Sequence, residues 1–370
     1  MNLPAAAWKS LGLWLLRGLA VLLAAGTLLS ATDFNEWWIR IWDFPRLQIL
    51  IALVATGAAL WFVDRRTRLW FPVFLAALSI WQAYRIFPYT ALADPEVKQI
   101  AAAEAKMPGC FTVLSFNVLQ TNRAYDRTAK LIRDVDPDIL LLMETDRAWV
   151  DAMAPMLKRY PGQLHRPLSN TYGMIFATRM PMRDGSVQDI AEPDTPSMFA
   201  TLRAGKQDFR MIALHPRPPT VGQDTEERDA EIVLAANYAR SLAMPAITIG
   251  DFNDVAWSDT TRLFQELGGF LDPRIGRGTY ATFPADMTWL GWPLDYLFVT
   301  KEFVVADMQV GPAIGSDHRP VIARLCLNPA AGQAGNAEPR SAGSAEKQDA
   351  AEVLEEFRDD TAEDRKEQVD

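Results

Sequence analysis

Ile247-Thr248-Ile249-Gly250-Asp251-Phe252-Asn253-Asp254 decides how the chain is read. Apolar residues run up to a glycine, as in a buried strand that stops abruptly. A carboxylate and a carboxamide two residues apart then project to the same side of an extended backbone. A strand end is a stiff platform, and the loop beyond it exposes polar groups to a ligand. A Gly-Asp pair after a strand is by itself an ordinary turn. The reading therefore depends on whether other strands end in the same way.

Five others do. Asn117 follows the apolar run 112–116, Glu144 closes 139–143 and His215 closes 211–214. Asp295 lies at the start of 294–299, and Asp317-His318 precede 321–326. A carboxylate beside an apolar run is costly unless it is paired or coordinated. Glu144, Asp317, Asp251, Asn117 and Asn253 offer hard oxygen atoms, the ligands that Mg²⁺ prefers, with Mn²⁺ or Ca²⁺ as alternatives. Cysteine and histidine are too few among them for a typical zinc set. Histidine deprotonates water or holds a phosphoryl oxygen near neutral pH, and a neighbouring carboxylate fixes its tautomer. Together these groups equip a site for metal-assisted hydrolysis of a phosphate ester. The sequence contains no Gly-x-Ser-x-Gly elbow, no phosphate-binding Gly-Lys loop and no Gly-x-Gly-x-x-Gly, so serine-hydrolase, NTPase and dinucleotide-binding readings lack support.

Working outward, residues 110–327 alternate strand-like and helix-like patterns. Strands are expected at 111–118, 139–143, 172–178, 197–202, 209–214, 247–251, 294–299, 303–310 and 321–326. Helices are expected at 126–135, 147–159, 223–242 and 258–267. The order implies an α+β domain of two packed sheets with helices outside. Residues 87–109 read as a linker with a short helical piece. Residues 1–86 differ in kind. Apolar runs at 11–30, 47–63 and 69–84 suggest about three transmembrane helices, each near the length of a ~30 Å hydrocarbon core. Trp37, Trp38, Trp42, Trp70 and Trp81 lie near their ends, where indoles favour the interface. The first run also fits a signal peptide with Lys9 and Arg17 as its basic region, but two more runs follow. The loop Asp64-Arg65-Arg66-Thr67-Arg68 is strongly basic, whereas 31–45 carries Asp33, Glu36 and Asp43 against Arg40. By the positive-inside rule the basic loop is cytoplasmic. A multi-pass protein of the inner cell membrane with an extracytoplasmic catalytic domain follows from three spans.

The chain has 370 residues and a net charge of −9. Residues 328–370 hold 12 acidic and 5 basic residues, so −7 of that charge lies there. The rest is near neutral and lacks the basic field of a non-specific nucleic-acid binder. The segment 328–370 is poor in large apolar residues, and a disordered acidic tail is expected.

Ser115-Phe116-Asn117, Leu142-Met143-Glu144-Thr145-Asp146, Leu214-His215-Pro216, Gly250-Asp251-Phe252-Asn253, Leu294-Asp295-Tyr296 and Gly315-Ser316-Asp317-His318-Arg319-Pro320-Val321 occur in that order. The set resembles the endonuclease/exonuclease/phosphatase superfamily over about residues 112–325. The resemblance implies a four-layer α/β sandwich, two packed mixed β-sheets flanked by helices. It also implies roles: Glu144 as principal metal ligand with Asn117 and Asp317; Asp251 and Asn253 positioning water and phosphate. His318, oriented by Asp295, would be the general base or a phosphate contact. His215 would stabilise phosphoryl oxygens or assist the leaving group. The substrate class implied is a phosphate ester, whether lipid head group, nucleic acid or small phosphoester, with the bilayer as the other partner. Ala177-Thr178 stands where the family commonly has Leu-Ser. In the resembled fold the first and last strands are neighbours, which implies a Cys110–Cys326 disulfide and an oxidising compartment.

Other polar residues carry plainer expectations. His165 reads as a surface or loop histidine, and Asp146 and Asp254 as turn or capping residues. Trp289 and Trp292 suit core packing or a lipid or base pocket. The competing reading is a catalytically silent binding module or a membrane assembly factor on the same sandwich. The complete set Glu144, Asp251, Asn253 and His318 argues against it.

Overall fold

The computed structural model describes residues 5–32, 34–67, 69–219, 222–287 and 289–367. Asp33 and Arg68, which entered the comparison of loop charges, and the last three residues of the tail lie outside the described residues.

The chain opens with helices α1 (Ala5–Leu29), α2 (Trp37–Arg40), α3 (Arg46–Val63) and α4 (Phe71–Ile86). Among the described residues two helical stretches, Ala7–Leu29 and Arg46–Val63, are long and apolar enough to cross a membrane. That corrects the expectation of about three. The third apolar run forms α4, whose 16 residues extend only about 24 Å at 1.5 Å per residue. Pro72 sits in its first turn and Pro88 follows its last, and a proline cannot continue a helix through its own missing N–H. The three long helices still pack together. Ala20 and Leu23 of α1, Leu53 and Leu60 of α3, and Leu75 and Leu78 of α4 share one buried cluster.

A polar cluster fixes one end of this bundle. Arg46, fully buried, donates to Gln82 Oε1 (3.1 Å) and Ser30 O (3.3 Å) and pairs with Asp43. Gln82 Nε2 donates to Thr27 Oγ1 (3.1 Å). The end of α1, the start of α3 and the end of α4 therefore meet, and the basic segment after α3 lies at the opposite end.

The remaining elements are β1 (Cys110–Asn117), α5 (Tyr125–Val135), β2 (Ile139–Met143), α6 (Arg147–Leu157), β3 (Gly162–Arg166), β4 (Met174–Thr178), β5 (Met182–Asp189), β6 (Pro196–Ala204) and β7 (Gln207–Leu214). They continue as α7 (Glu226–Ser241), β8 (Ala246–Asp251), α8 (Asp259–Gly268), β9 (Asp295–Val299), β10 (Phe303–Val310), β11 (Val321–Leu327), α9 (Pro329–Gly335) and α10 (Ser344–Glu367). One sheet has the order β10-β11-β1-β2-β4-β3 and the other β5-β6-β7-β8-β9. Both are mixed: β1 and β2 are parallel, as are β7 and β8, and the other pairs are antiparallel.

Alternation along the strands builds the layers. In β2, Ile139, Leu141 and Met143 face the other sheet and meet Met211, Ile247, Ile249 and Leu297 in the central core. Leu140 and Leu142 point the other way, onto Leu131 and Ile132 of α5 and Trp149 and Met153 of α6. On the far side Ile212, Phe252, Tyr296 and Phe298 pack against α7 and α8. The result is the four-layer α/β sandwich, helices–sheet–sheet–helices.

Cys110 stands opposite Cys326 in the β1–β11 ladder, and the two are joined by a disulfide. Two strands were not anticipated, β3 and β5. They are edge strands whose residues, Gly162 apart, are half-exposed or exposed, so their sequences lack an apolar run. His165 consequently lies on β3, exposed, instead of in a loop.

The tail is also corrected. Residues 329–335 and 344–367 are helical. Asn328 caps α9 by accepting from Ala331 N–H (3.1 Å), and the Asn336 amide donates to Lys301 O and Phe303 O (2.8 and 2.7 Å). Ala350, Val353 and Leu354 of α10 pack on the cluster beneath α7 and α8. Composition averages hide this. The segment is rich in Ala and Glu, which favour helix, and its few apolar residues share one face at i, i+3 and i+4.

Candidate active site

The site forms where the carboxyl ends of β1, β2, β7 and β8 converge with the start of β9. Gly250 makes the approach of β7 and β8 possible. Its φ is +150°, and a Cβ there would stand 1.9 Å from Leu214 O. Asp251 follows directly, buried, with Asp295 as its register partner on β9.

Asn117 closes β1 and joins the two sheets. Its Nδ2 donates to Glu144 Oε1 (2.9 Å) and to Asp251 Oδ2 (3.1 Å), while its Oδ1 accepts from Leu119 N–H (3.1 Å). Its amide hydrogens thus face the carboxylates, and its oxygen keeps a second lone pair. Glu144, half-buried at φ +59°, also accepts from Gln120 N–H at 3.1 Å. Burial raises its pKa, and the nearby Asp317 adds to the rise, against the lowering effect of its two hydrogen bonds.

His318 sits between two carboxylates. Nδ1 lies 2.8 Å from Asp295 Oδ2, and Nε2 lies 3.4 Å from Asp251 Oδ2. A neutral imidazole has one N–H and can donate to only one of them, so this placement calls for the imidazolium. Burial alone would lower the pKa of the ring, but Asp251 and Asp295 raise it to about 10. Ser316 holds the backbone here. Its Oγ donates to Asn117 O (2.7 Å) and accepts from His318 N–H (3.0 Å). Asp317 is exposed at the mouth.

Asn253, at φ +51°, turns back: its N–H donates to Asp251 Oδ1 (2.9 Å) and its Nδ2 to Pro216 O (2.9 Å). His215 is buried, its Nδ1 has no partner among the described residues, and burial lowers its pKa. Tyr172 lies beside it, with ring centroids 5.6 Å apart, and Arg217 lies over Tyr172. Asp251 is likewise raised by burial, against the lowering pull of His318. All eight residues picked out in sequence therefore gather at these strand ends. Asp146 instead caps α6 by accepting from Trp149 N–H (2.9 Å), and Asp254 pairs with Arg228 and accepts from Ser258 Oγ. Sequence reasoning missed Gln120, Tyr172 and Phe283. The Phe283 ring lies 4.9 Å from His318, and no local signal marks it.

The donor chemistry fits a divalent metal. Glu144 and Asp317 are carboxylates at the mouth, and Asp295 Oδ1 is buried without a partner among the described residues. No thiolate competes, because both cysteines are bonded. Asp251, Asp295 and His318 also cluster with ligand atoms within 4.8 Å, but both ring nitrogens of His318 already face the two carboxylates. That trio works better as a charge cluster in which Asp295 hydrogen-bonds Nδ1 and Asp251 faces Nε2.

A two-sheet sandwich with carboxylates and histidines at converging strand ends defines a phosphoesterase class. The sequence profile of the Endonuclease/Exonuclease/phosphatase family matches residues 114–318. The chain belongs to that family and is a metal-dependent phosphoric ester hydrolase of its type. Among solved structures it resembles an endonuclease/exonuclease/phosphatase family protein from Bacteroides thetaiotaomicron at 18% identity and a TM-score of 0.50. The alignment covers 60% of this chain and 99% of that one. A Bacteroides vulgatus endonuclease/exonuclease/phosphatase aligns at 19% identity and TM-score 0.49, covering 59% and 99%. The human Nocturnin catalytic domain aligns at 18% and 0.47, covering 60% and 96%. None of the curated proteins matches.

Proposed function

We propose that the chain is a membrane-anchored, Mg²⁺-dependent phosphodiesterase whose catalytic domain faces outward from the inner membrane. The observation that carries the reading is the contact chain Glu144–Asn117–Asp251–His318–Asp295, which binds both sheets into one site. Glu144 and Asp317 would hold the metal, which when bound neutralises charge on the phosphate and lowers the pKa of water. Asn117 orients Glu144 through its N–H groups, and its oxygen, which has a second lone pair, would assist Glu144 and Asp317 at the metal. Asp251 accepts the proton of the attacking water, and Asn253 holds the Asp251 carboxylate in place. His318, kept charged by its two carboxylates, offers Nε2–H to a phosphoryl oxygen. The 3.4 Å separation from Asp251 is long for a hydrogen bond and leaves that proton open to substrate. His215 supports the phosphoryl group from the other side.

Three observations support the membrane reading: two helices of spanning length and composition, a basic segment at the far end of the bundle, and a disulfide in the catalytic domain. By the positive-inside rule the basic end is cytoplasmic; α4, packed against α1 and α3, would carry the chain back to the other end and so place the disulfide in an oxidising compartment. The test is Mg²⁺-dependent hydrolysis of bis-(p-nitrophenyl) phosphate by the full chain in detergent. Glu144→Ala and His318→Ala should each lower turnover by about 10²–10⁴-fold. Activity unaffected by both substitutions would sink the assignment.

A further inference from the structure

The anchor and the site share one end of the sandwich. Trp257, six residues past Asp251, donates its indole N–H to Asp43 O (2.7 Å) in the segment joining α1 to α3. Arg85, at the end of α4, pairs with Asp259 (3.0 Å). Gln48, in the first turn of α3, donates to Leu290 O (2.8 Å), five residues before Asp295. Each catalytic-domain partner lies on a segment that enters or leaves the site end of β8 or β9.

One of those segments is a hairpin loop closed by the backbone pair Phe283↔Trp292. From His318 an aromatic series leads along it to the anchor. Phe283 lies 4.9 Å from His318, Trp292 lies 6.1 Å from Phe283, and Phe44 meets Trp292 edge-on at 5.6 Å. Phe44 belongs to the α1–α3 connection, two residues before α3 begins. The tip of the same loop presents Trp289, 77% exposed, and Met287, 49% exposed. A tryptophan this exposed on a soluble rim is costly, whereas an indole at a bilayer interface is favoured. The Gln48–Leu290 bond sets that tip beside the end of a helix that crosses the membrane in the reading above.

We propose that the Trp289/Met287 tip enters the outer bilayer interface and that the Phe44–Trp292–Phe283 wall seats a membrane lipid, so that the substrate is a phosphodiester of a lipid head group. The assignment rests on the phosphoesterase and membrane readings of the preceding section. In the reaction a water oxygen bonds to phosphorus as the P–O bond to the head-group alcohol breaks. The proton that water loses ends on the departing alcohol. The lipid remains in the bilayer as the phosphate monoester, and the alcohol leaves into the aqueous phase.

Two measurements on the full chain in nanodiscs test the proposal. In the first, Trp289→Cys carries an environment-sensitive fluorophore and the nanodiscs contain brominated phosphatidylcholine. Quenching is expected at 289 and not at Lys206→Cys, on the hairpin at the other end of β7. In the second, Mg²⁺-dependent hydrolysis is compared for a diacylglycerol phosphate esterified to p-nitrophenol and for bis-(p-nitrophenyl) phosphate. The lipid-to-soluble ratio of kcat/KM should fall roughly tenfold in Trp289→Ser/Met287→Ser, because the lost membrane contact scales with apolar area. An unquenched label, an unchanged ratio, or faster cleavage of a single-stranded oligonucleotide than of the lipid overturns the proposal. Hydrolysis of neither ester overturns the phosphoesterase reading and the substrate assignment with it. Quenching is independent of activity and reports the membrane contact alone.

Discussion

Glu231→Gln should stabilise the protein at alkaline pH and leave it nearly unchanged at acid pH. Glu231 lies in α7, 1% exposed, where Ser197 Oγ donates to its Oε1 (2.6 Å). Burial pushes its pKa from 4.5 to about 8, the Ser197 bond lowers it, and Asp189 and Glu192 add to the rise. The carboxyl is therefore protonated in the folded protein at neutral pH. A folded-state pKa above the unfolded one means that the native state binds the extra proton. Its contribution is complete below pH 4.5 and is lost as pH rises through 8. At 1.36 kcal/mol per unit, a rise of about 3.5 units corresponds to about 5 kcal/mol, and relaxation around the ionised group cuts this to about 2–4 kcal/mol. Glutamine keeps an oxygen for Ser197 and cannot ionise. The assay is urea unfolding of the full chain in detergent at pH 5, 7 and 9, wild type beside Glu231→Gln. Glu96, raised by burial to about 7, and Asp254, raised by burial to about 6, titrate alike in both proteins and cancel in the difference. The midpoint difference should grow steadily from pH 5 to pH 9. A constant difference across that range means that Glu231 is ionised in the folded state, and the reasoning fails.

Three further outcomes are expected. Asp295→Asn removes one of the two carboxylates that hold His318 charged, so kcat should fall about 10²–10⁴-fold with a smaller change in KM; a loss under about threefold by steady-state kinetics would separate Asp295 from the chemistry. Cys110→Ser/Cys326→Ser opens a cross-link between residues 216 apart, and denaturant titration should show a loss of about 2–5 kcal/mol, equal to the loss on reducing the wild type. Gly250→Ala drives a methyl group to 1.9 Å from Leu214 O and should cost more than about 3 kcal/mol, read as a lower melting temperature.

Much of this architecture was legible because it follows from periodicity. The run 139–143 is apolar on both faces because β2 lies in the middle of a sheet with cores on both sides. The strands that escaped detection, β3 and β5, lie at sheet edges and carry no apolar alternation. The tail misled for a different reason. Its few apolar residues are enough because α7 and α8 already offer a surface for Ala350, Val353 and Leu354, which a composition average cannot register. At the site, residue identity was legible and contact was not. Nothing in the sequence shows that the Asn117 amide donates to Glu144 and Asp251 while its oxygen accepts from Leu119 N–H. Phe283 reaches His318 from a loop whose position depends on Trp292 and Phe44, and no spacing rule joins those three.

On the membrane reading proposed above, the shared end of anchor and site has a physical consequence of its own. A tether at the far end of the sandwich would leave the cleft free to sample the whole aqueous space around the membrane. Here Trp257–Asp43, Arg85–Asp259 and Gln48–Leu290 tie three points on the site end to the α1–α3 connection, the end of α4 and the start of α3. Three separated contacts remove rotation as well as translation, so the cleft keeps one height and one orientation relative to the bundle. For a soluble substrate that restriction brings no advantage and narrows the approach. For a phosphate already held in the plane of the bilayer it supplies part of the ordering that the reaction otherwise requires. Loosening the tether with Arg85→Ala should therefore slow hydrolysis of a membrane-borne ester more than hydrolysis of a soluble one. Equal slowing of both by the same substitution would mean that Arg85 supports the fold of the cleft and not its placement.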